Sequence, residues 1–217
     1  MPELLTSRPA TDTGLPHLLL AHGASQPMTS PFFETLVAML SERGLVVTRF
    51  EFAYMAARRT GAKRRPPPPV ETLFPEFHAA ISATRAAIGA TRPLIIGGKS
   101  MGGRIASLIA DDLTRDRAIA GLVCLGYPFH PPKEPGTLRT AHLAGLATPT
   151  LIAQGERDPF GTREDVAGYD LSPAIAVHWV GDGDHDFGPR GRSGFTRKGN
   201  LAAASDAIVA FAANLSI

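Results

Sequence analysis

Short runs of apolar residues alternate along this chain with longer stretches in which apolar residues recur at helical spacing. The apolar runs predict buried strands, because they carry hydrophobic residues at consecutive positions. The stretches between them predict helices, and one of these ends at Gly44, a residue typical of a helix C-terminal cap. The predicted strands are 16–21, 45–52, 93–97, 119–125, 149–153 and 174–180, and the predicted helices are 32–43, 70–90, 102–112 and 201–215.

This order of elements indicates a parallel sheet that is covered by helices on both faces. We therefore predict a three-layer α/β/α sandwich with a doubly wound, mostly parallel sheet of about six or seven strands, in one domain over residues 1–217. Ligands of such sheets bind outside the carboxyl ends of the strands. The residues that follow each predicted strand are thus the candidates for function.

Composition and charge narrow the class of protein. Hydrophobic residues make up 44% of the chain and charged residues 19%, which favours a buried core over disorder. A formal net charge of +2 gives no strong field towards nucleic acid or membrane, and we expect neither as a partner. The chain has neither the apolar run of a signal peptide nor the roughly 20 apolar residues of a spanning helix. We expect a soluble, cytoplasmic protein, either monomer or dimer.

Cysteine and histidine usage argues against a metal centre. The single cysteine, Cys124, lies in the apolar run 119–125 and is expected to be a buried hydrophobe. One cysteine excludes a disulfide within the chain. The histidines show no metal-ligand spacing, so we expect no metal and no other cofactor.

A serine stands between a predicted strand and a predicted helix, within Gly97-Gly98-Lys99-Ser100-Met101-Gly102-Gly103. Glycines two residues to either side of Ser100 are typical of a nucleophile elbow, in which a tight turn exposes the hydroxyl. Gly98 and Gly102 would leave room where strand and helix approach. The backbone N–H of Met101, at the helix start, would point at the same place and could hold an oxyanion.

The same residues invite a second interpretation, since Gly98-Lys99-Ser100 resembles the end of a phosphate-binding P-loop. That motif needs a glycine five residues before Gly98, and Pro93 stands there. The residues between would also form a strand rather than an open cradle of N–H groups. The P-loop is therefore rejected.

A base and an acid follow the serine in the order that a nucleophile of this kind requires. Asp158 comes just after the predicted strand 149–153, and His185 lies in a glycine-rich loop after strand 174–180. Glu156 competes with Asp158 but is expected to remain on the strand. The aspartates nearest His185 are expected to form turns or to add surface charge; they are Asp182, Asp184 and Asp186.

The loop after the first predicted strand, His22-Gly23-Ala24-Ser25, would supply the second oxyanion donor, for which we choose the N–H of Ala24. His22 precedes the serine, which is the wrong order for the base. It is expected to shape this loop by hydrogen bonding, and it is also kept as a candidate substrate contact.

Together these motifs resemble one branch of the α/β-hydrolases. The resemblance rests on His22-Gly23-Ala24, the run 50–55, the elbow 97–104, Gly155-Glu156-Arg157-Asp158 and Gly183-Asp184-His185-Asp186, and it covers roughly residues 16–217. The branch comprises small bacterial dienelactone-hydrolase-like proteins related to the vertebrate testis-expressed hydrolase-like proteins. It implies a triad of Ser100, Asp158 and His185 and an ester-type hydrolase activity. Dienelactone hydrolases carry cysteine at the elbow, so Ser100 argues against a dienelactone substrate.

A serine hydrolase of the carboxylesterase or thioesterase kind, acting on a small acyl substrate, is the leading hypothesis. The segment 126–148 is too short for a large lid. Two alternatives stay open: an interaction module that kept the fold without catalysis, and a peptidase with the same triad.

A basic and proline-rich tract at 58–69 predicts a surface loop. Lys63, Arg64 and Arg65 could attract an anionic substrate group, or the tract could simply be solvated.

Overall fold

The computed structural model describes residues 2–61, 63, 66–89 and 91–215, and seven strands form one sheet. The strands are β1 (Leu4–Ser7), β2 (His17–Ala21), β3 (Val47–Phe50), β4 (Leu94–Lys99), β5 (Gly121–Leu125), β6 (Thr150–Gly155) and β7 (Ile175–Val180). The helices are α1 (Pro31–Glu42), α2 (Ala53–Arg59), α3 (Phe74–Ile88), α4 (Met101–Arg115), α5 (Arg163–Ala167) and α6 (Arg197–Asn214), with a 3₁₀ turn at Val70–Leu73.

The strand order across the sheet is β1-β3-β2-β4-β5-β6-β7, and every neighbouring pair is parallel except β1 with β3. The predicted doubly wound, mostly parallel sheet is confirmed. The chain moves from β2 outward to β3 and then returns to place β4 on the other side of β2. The ends of β2 and β4 therefore form a topological switch point, where ligands of open α/β sheets bind.

Alternate side chains of the strands enter two separate cores, which explains why the strands are apolar throughout. Leu18 and Leu20 pack with residues of α1 and α6 on one face. Leu19 and Ala21 pack with residues of α3 and α4 on the other. Successive side chains of a strand point to opposite faces, so a sheet with helices on both faces needs apolar residues at both sets of positions. The result is the predicted three-layer sandwich.

Three elements escaped the sequence prediction because each is short. The edge strand β1 is half exposed and lacks an apolar run, α2 has seven residues and α5 has five. The interpretation of 58–69 as a loop is wrong at its start, since Arg58 and Arg59 form the last turn of α2. A helix there needs only local hydrogen bonds, and it ends at Arg59, before the prolines that cannot join a helix interior.

The segment between β5 and β6, residues 126–149, contains turns but no helix or strand. The prediction that the fold has no large lid is confirmed. Within the described part of the chain, no helix combines the length and the apolar character needed to cross a bilayer.

Candidate active site

Ser100 occupies a strained turn between β4 and α4. Its backbone has φ 53° and ψ −116°, a region that residues other than glycine rarely adopt. A Cβ at Gly98 would lie 2.6 Å from the carbonyl oxygen of Ala21, and one at Gly102 would lie 2.6 Å from that of His22. Both glycines are thus required by the close approach of β2 to the turn, and they hold the strained serine at the carboxyl end of the sheet.

An acid and a histidine meet above the neighbouring strands. Nδ1 of His185, in the loop after β7, lies 2.8 Å from Oδ2 of Asp158, in the turn after β6. The Asp158 side chain is completely buried. Its Oδ1 accepts a hydrogen bond from the N–H of Phe160 at 2.9 Å, and its Oδ2 accepts a second one from Nε2 of Gln154 at 3.1 Å. Three donors therefore hold this carboxylate in one orientation.

The partner of His185 also determines its tautomer. Because a carboxylate only accepts hydrogen bonds, Nδ1 carries the proton, and Nε2 of the neutral ring is left as an acceptor. The ring of Phe160 lies against the imidazole with centroids 4.4 Å apart. Ser100 and His185 line one cavity of about 260 Å³. The imidazole is thus held by an acid and an aromatic ring in the cavity that Ser100 also lines.

Glu156, the competing acid, binds elsewhere. It follows the last residue of β6, Gly155, so the expectation that it remains on the strand is wrong. Its carboxylate pairs with Arg163 at 2.9 Å and accepts the N–H of Asp182 at 2.9 Å. These hydrogen bonds, that from Asp182 first, lower the pKa of Glu156. Only Asp158 of the two contacts His185.

The other aspartates of the histidine loop have separate tasks. Oδ1 of Asp184 accepts the N–H groups of Asp186 and Gly188, which closes a turn around His185. Asp182 pairs with Arg157 and Arg190. Asp186 instead lies 3.3 Å from Nζ of Lys99, the residue before the serine, so it is more than a solubilising charge.

The loop after β2 lies directly beside Ser100. A Cβ on Gly23 would be 3.6 Å from Cβ of Ser100. The hydroxyl of Tyr54 donates to the carbonyl oxygen of Ala24 at 3.2 Å, and Arg58 donates to the same oxygen at 3.3 Å. Among the described residues, no acceptor binds the backbone N–H of Ala24 or that of Met101. Both donors remain available next to the serine.

His22 supports this loop from inside the protein. Its Nε2 accepts the N–H of Phe52 at 3.1 Å, so its Nδ1 carries the proton that it donates to the carbonyl oxygen of Gly23 at 2.6 Å. Burial lowers the pKa of His22 to about 4, which keeps the ring neutral. The side chain is completely buried and both ring nitrogens are used. This position corrects the idea of a substrate contact, whereas the expected shaping of the loop matches the observed bonds.

The structure describes the basic tract only in part. Lys63 is exposed, and Arg64 and Arg65 lie outside the described residues. The proline end of the tract does reach the site, because Pro67, Pro68 and Pro69 line a larger cavity of about 610 Å³ that also contains Ser100.

Five further residues around the serine were missed in the sequence. They are Lys99, Arg104, Arg139, Gln154 and Phe160. The sequence does contain a signal for two of them, because Lys99 and Gln154 are polar residues at the ends of apolar runs. Arg104 lies one helical turn after Ser100 in α4, whereas Arg139 and Phe160 lie in loops whose approach to Ser100 depends on tertiary structure. No group of three metal-ligating side chains occurs in the part of the chain that the structure describes.

Comparison with known proteins gives one family match and several similar structures. A family described as an alpha/beta hydrolase domain matches residues 15–213. A serine hydrolase homologue from Coxiella burnetii is 19% identical, with a TM-score of 0.69 over 99% of this chain and 92% of that one. A dienelactone hydrolase from Anabaena variabilis is 18% identical, with a TM-score of 0.71 over 97% and 90%. A serine hydrolase without lid from Xanthomonas campestris is 17% identical, with a TM-score of 0.67 over 96% and 89%.

Proposed function

This chain belongs to the alpha/beta hydrolase domain family, and we propose that it is a serine hydrolase that cleaves a small ester or thioester through an acyl-enzyme. Ser100 is the nucleophile, His185 the general base and Asp158 the residue that orients the base. The backbone N–H groups of Ala24 and Met101 form the oxyanion hole.

One observation carries the proposal. The bond between His185 Nδ1 and Asp158 Oδ2, at 2.8 Å, leaves Nε2 as the proton acceptor in the cavity that Ser100 also lines. A serine hydroxyl is a weak nucleophile until an adjacent base removes its proton. The chain order of serine, acid and histidine is also that of this fold.

The reaction follows from these positions. Nε2 of His185 takes the proton of Ser100 while the serine oxygen bonds to the acyl carbon, and the carbonyl electron pair moves onto the oxygen held by the two N–H groups. Collapse of this intermediate breaks the bond to the alcohol or thiol, which leaves with the proton from His185. Water then gives a proton to His185 and its oxygen bonds to the acyl carbon. As the bond between the acyl carbon and the serine oxygen breaks, His185 returns the proton to that oxygen, which releases the acid and restores Ser100. The buried Asp158 carboxylate stabilises the imidazolium that forms in each half.

Labelling with a fluorophosphonate probe tests this function, because the probe reacts with activated serines. We expect wild-type protein to be labelled at Ser100, as identified by mass spectrometry of the adduct, and Ser100→Ala to be unlabelled. His185→Gln should slow labelling by more than about 100-fold, the scale on which positioned bases act.

Ser25 offers a matched control, since it is an exposed serine of the same cavity. Ser25→Ala should be labelled like wild type. A wild type that is not labelled, or an adduct at Ser25, would refute the proposed nucleophile and favour a protein that kept the fold without catalysis. Hydrolysis of p-nitrophenyl esters and acyl thioesters, with peptides alongside, then separates esterase, thioesterase and peptidase activity.

A further inference from the structure

We propose that Arg104 and Arg139 form an anion subsite beside Ser100, so that the substrate carries a carboxylate or phosphate on its acyl or alcohol part. This inference rests on the serine hydrolase function proposed above and adds the chemical class of the substrate. Both arginines line the cavity of about 610 Å³ that contains Ser100 and Met101. That volume exceeds the need of a short acyl group and is typical of small-molecule sites.

Arg104 is placed by the helix that begins at the nucleophile. It lies four residues after Ser100 in α4, where positions i and i+4 share a face of the helix. Its side chain is half-buried, and its Nε is buried without a hydrogen-bond partner in the described structure. A buried guanidinium N–H without an acceptor is costly, and an anion in the cavity would supply the acceptor.

Arg139 reaches the same cavity from the loop between β5 and β6. Its backbone is fixed, because its N–H donates to the carbonyl oxygen of Phe129 at 2.7 Å and its own carbonyl oxygen accepts the hydroxyl of Tyr127 at 3.1 Å. Desolvation first, and then the charge of Arg104, lower the pKa of Arg139. Both guanidinium groups thus line one partly dry cavity, where no carboxylate of the described residues neutralises either charge.

The two arginines differ from those that form ion pairs. Eight other arginines form ion pairs with carboxylates; they are Arg43, Arg49, Arg59, Arg92, Arg115, Arg157, Arg163 and Arg190. Neither Arg104 nor Arg139 pairs with a carboxylate of the described residues. Glu71 also lines the cavity, but it is exposed and forms no ion pair there, so the cavity keeps an excess of positive charge. Paired guanidinium groups with free N–H donors bind carboxylates and phosphates through charge-assisted hydrogen bonds.

Kinetics with matched esters tests the subsite. The p-nitrophenyl monoester of glutarate carries a carboxylate, and its methyl ester is the neutral partner of nearly the same size. We expect wild type to prefer the anionic ester in kcat/KM by at least about tenfold. Arg104→Met and Arg139→Met should each lower kcat/KM for the anionic ester by about 30-fold, as expected for the loss of a charge-assisted bond. The loss for the neutral ester should not exceed about threefold.

Arg115→Met is the matched control, since Arg115 is an exposed residue at the far end of the same helix. It should not change the preference. The subsite is refuted if wild type shows no preference for the anionic ester, or if both arginine variants lose the two activities equally. Lys63→Met should retain the preference; its loss there alone would assign the anion to the basic tract instead.

Binding separates failure of the subsite from failure of the hydrolase function. If wild type is not labelled by fluorophosphonate, the hydrolase proposal fails and thermal stabilisation by added ligand judges the subsite. Glutarate and glycerol 3-phosphate serve as the carboxylate and phosphate probes, and the stronger one identifies the group. A rise in Tm that Arg104→Met and Arg139→Met abolish supports the subsite, and the absence of any rise refutes it.

Discussion

Nζ of Lys99 lies 3.3 Å from Oδ1 of Asp186, so an ion pair joins the residue before Ser100 to the residue after His185. The Lys99 side chain is 8% exposed and that of Asp186 is 36% exposed. Desolvation lowers the pKa of Lys99, and Asp186 is the strongest of the carboxylates that oppose this effect. The pair thus links the elbow to the histidine loop across the floor of the site.

The unequal burial of this pair predicts unequal costs of removing its partners. Asp186→Asn leaves a buried ammonium with only the charges of Asp158 and Asp184 nearby, whereas Lys99→Met removes the buried charge and leaves a hydrated carboxylate. We expect Asp186→Asn to lower the free energy of unfolding by about 2 kcal/mol more than Lys99→Met does. Urea denaturation at pH 7 measures both. Asp112→Asn, which breaks an exposed pair with Arg115, should cause no measurable loss.

Asp158 and Glu156 are two residues apart, and substitution distinguishes their roles. Asp158→Asn puts an amide where His185 needs an acceptor, so the ring loses its productive tautomer, and we expect kcat for ester hydrolysis to fall by about 1,000-fold or more. Glu156→Gln should change kcat by less than about threefold. Steady-state kinetics measures kcat of both variants, and circular dichroism verifies that each is folded. Comparable losses of kcat in the two variants would contradict the assignment of Asp158 as the acid.

Gly126 lies directly against the loop that carries His185, where a side chain would not fit unless that loop moved. Its φ is +60°, and a Cβ there would lie 3.0 Å from the carbonyl oxygen of His185, 3.1 Å from Nζ of Lys99 and 3.2 Å from Nδ1 of His185. Gly126→Ala should displace the imidazole and lower kcat by at least about tenfold, while backbone strain costs about 1–2 kcal/mol of stability. Gly145→Ala, with no atom within 4 Å of the added Cβ, is the control. Unchanged kcat in Gly126→Ala would show that the loop tolerates the displacement.

The lowered pKa of His22 predicts that the protein loses stability in mild acid. Burial lowers its pKa from 6.5 to about 4, so the folded protein favours the neutral ring while the unfolded chain takes up a proton first. Its contribution is complete above pH 6.5 and falls between pH 6.5 and 4, by about 3 kcal/mol at most. His17 has the same lowered pKa of about 4 and adds to the slope.

Chemical denaturation between pH 7 and pH 4 checks this slope. His22→Asn keeps a donor for the carbonyl oxygen of Gly23 but has no titratable group, so its free energy of unfolding should depend less steeply on pH than that of wild type. His78→Asn, at an exposed position, should follow the wild-type curve. Equal slopes in wild type and His22→Asn would contradict the lowered pKa.

Much of the fold was predictable because strands and helices each leave a pattern of apolar residues that is visible over a short stretch of the chain. The two-sided apolar strands and the glycines of the turn around Ser100 are read along a few consecutive residues, and they predicted the layered parallel sheet. The edge strand β1 was not predictable, since four partly or fully exposed residues carry no apolar pattern and the strand forms by pairing with β3, which is distant in sequence.

The candidate site divides in the same way. Ser100, Asp158 and His185 could be proposed from sequence because each follows a strand, and parallel strands end at one edge of the sheet. Their roles remain predictions that the experiments above test. Only the tertiary structure decided that Asp158 rather than Glu156 contacts His185, because the choice depends on how two turns after different strands face each other.

The strand–turn–helix unit around Ser100 was predictable from the sequence itself, since glycines stand at positions 98 and 102 between an apolar run and a helical stretch. The tertiary structure then shows why both are needed, because β2 passes too close to the turn for a side chain at either position. Which other residues line the cavity around Ser100 was decided by the tertiary structure. Arg104 follows Ser100 by one turn of α4, but Arg139 belongs to a distant loop, and no local pattern marks it as a neighbour of Ser100 or of Arg104. Contacts between residues far apart in sequence depend on how whole elements pack, and so the chemistry of the substrate cavity emerges only in the folded protein.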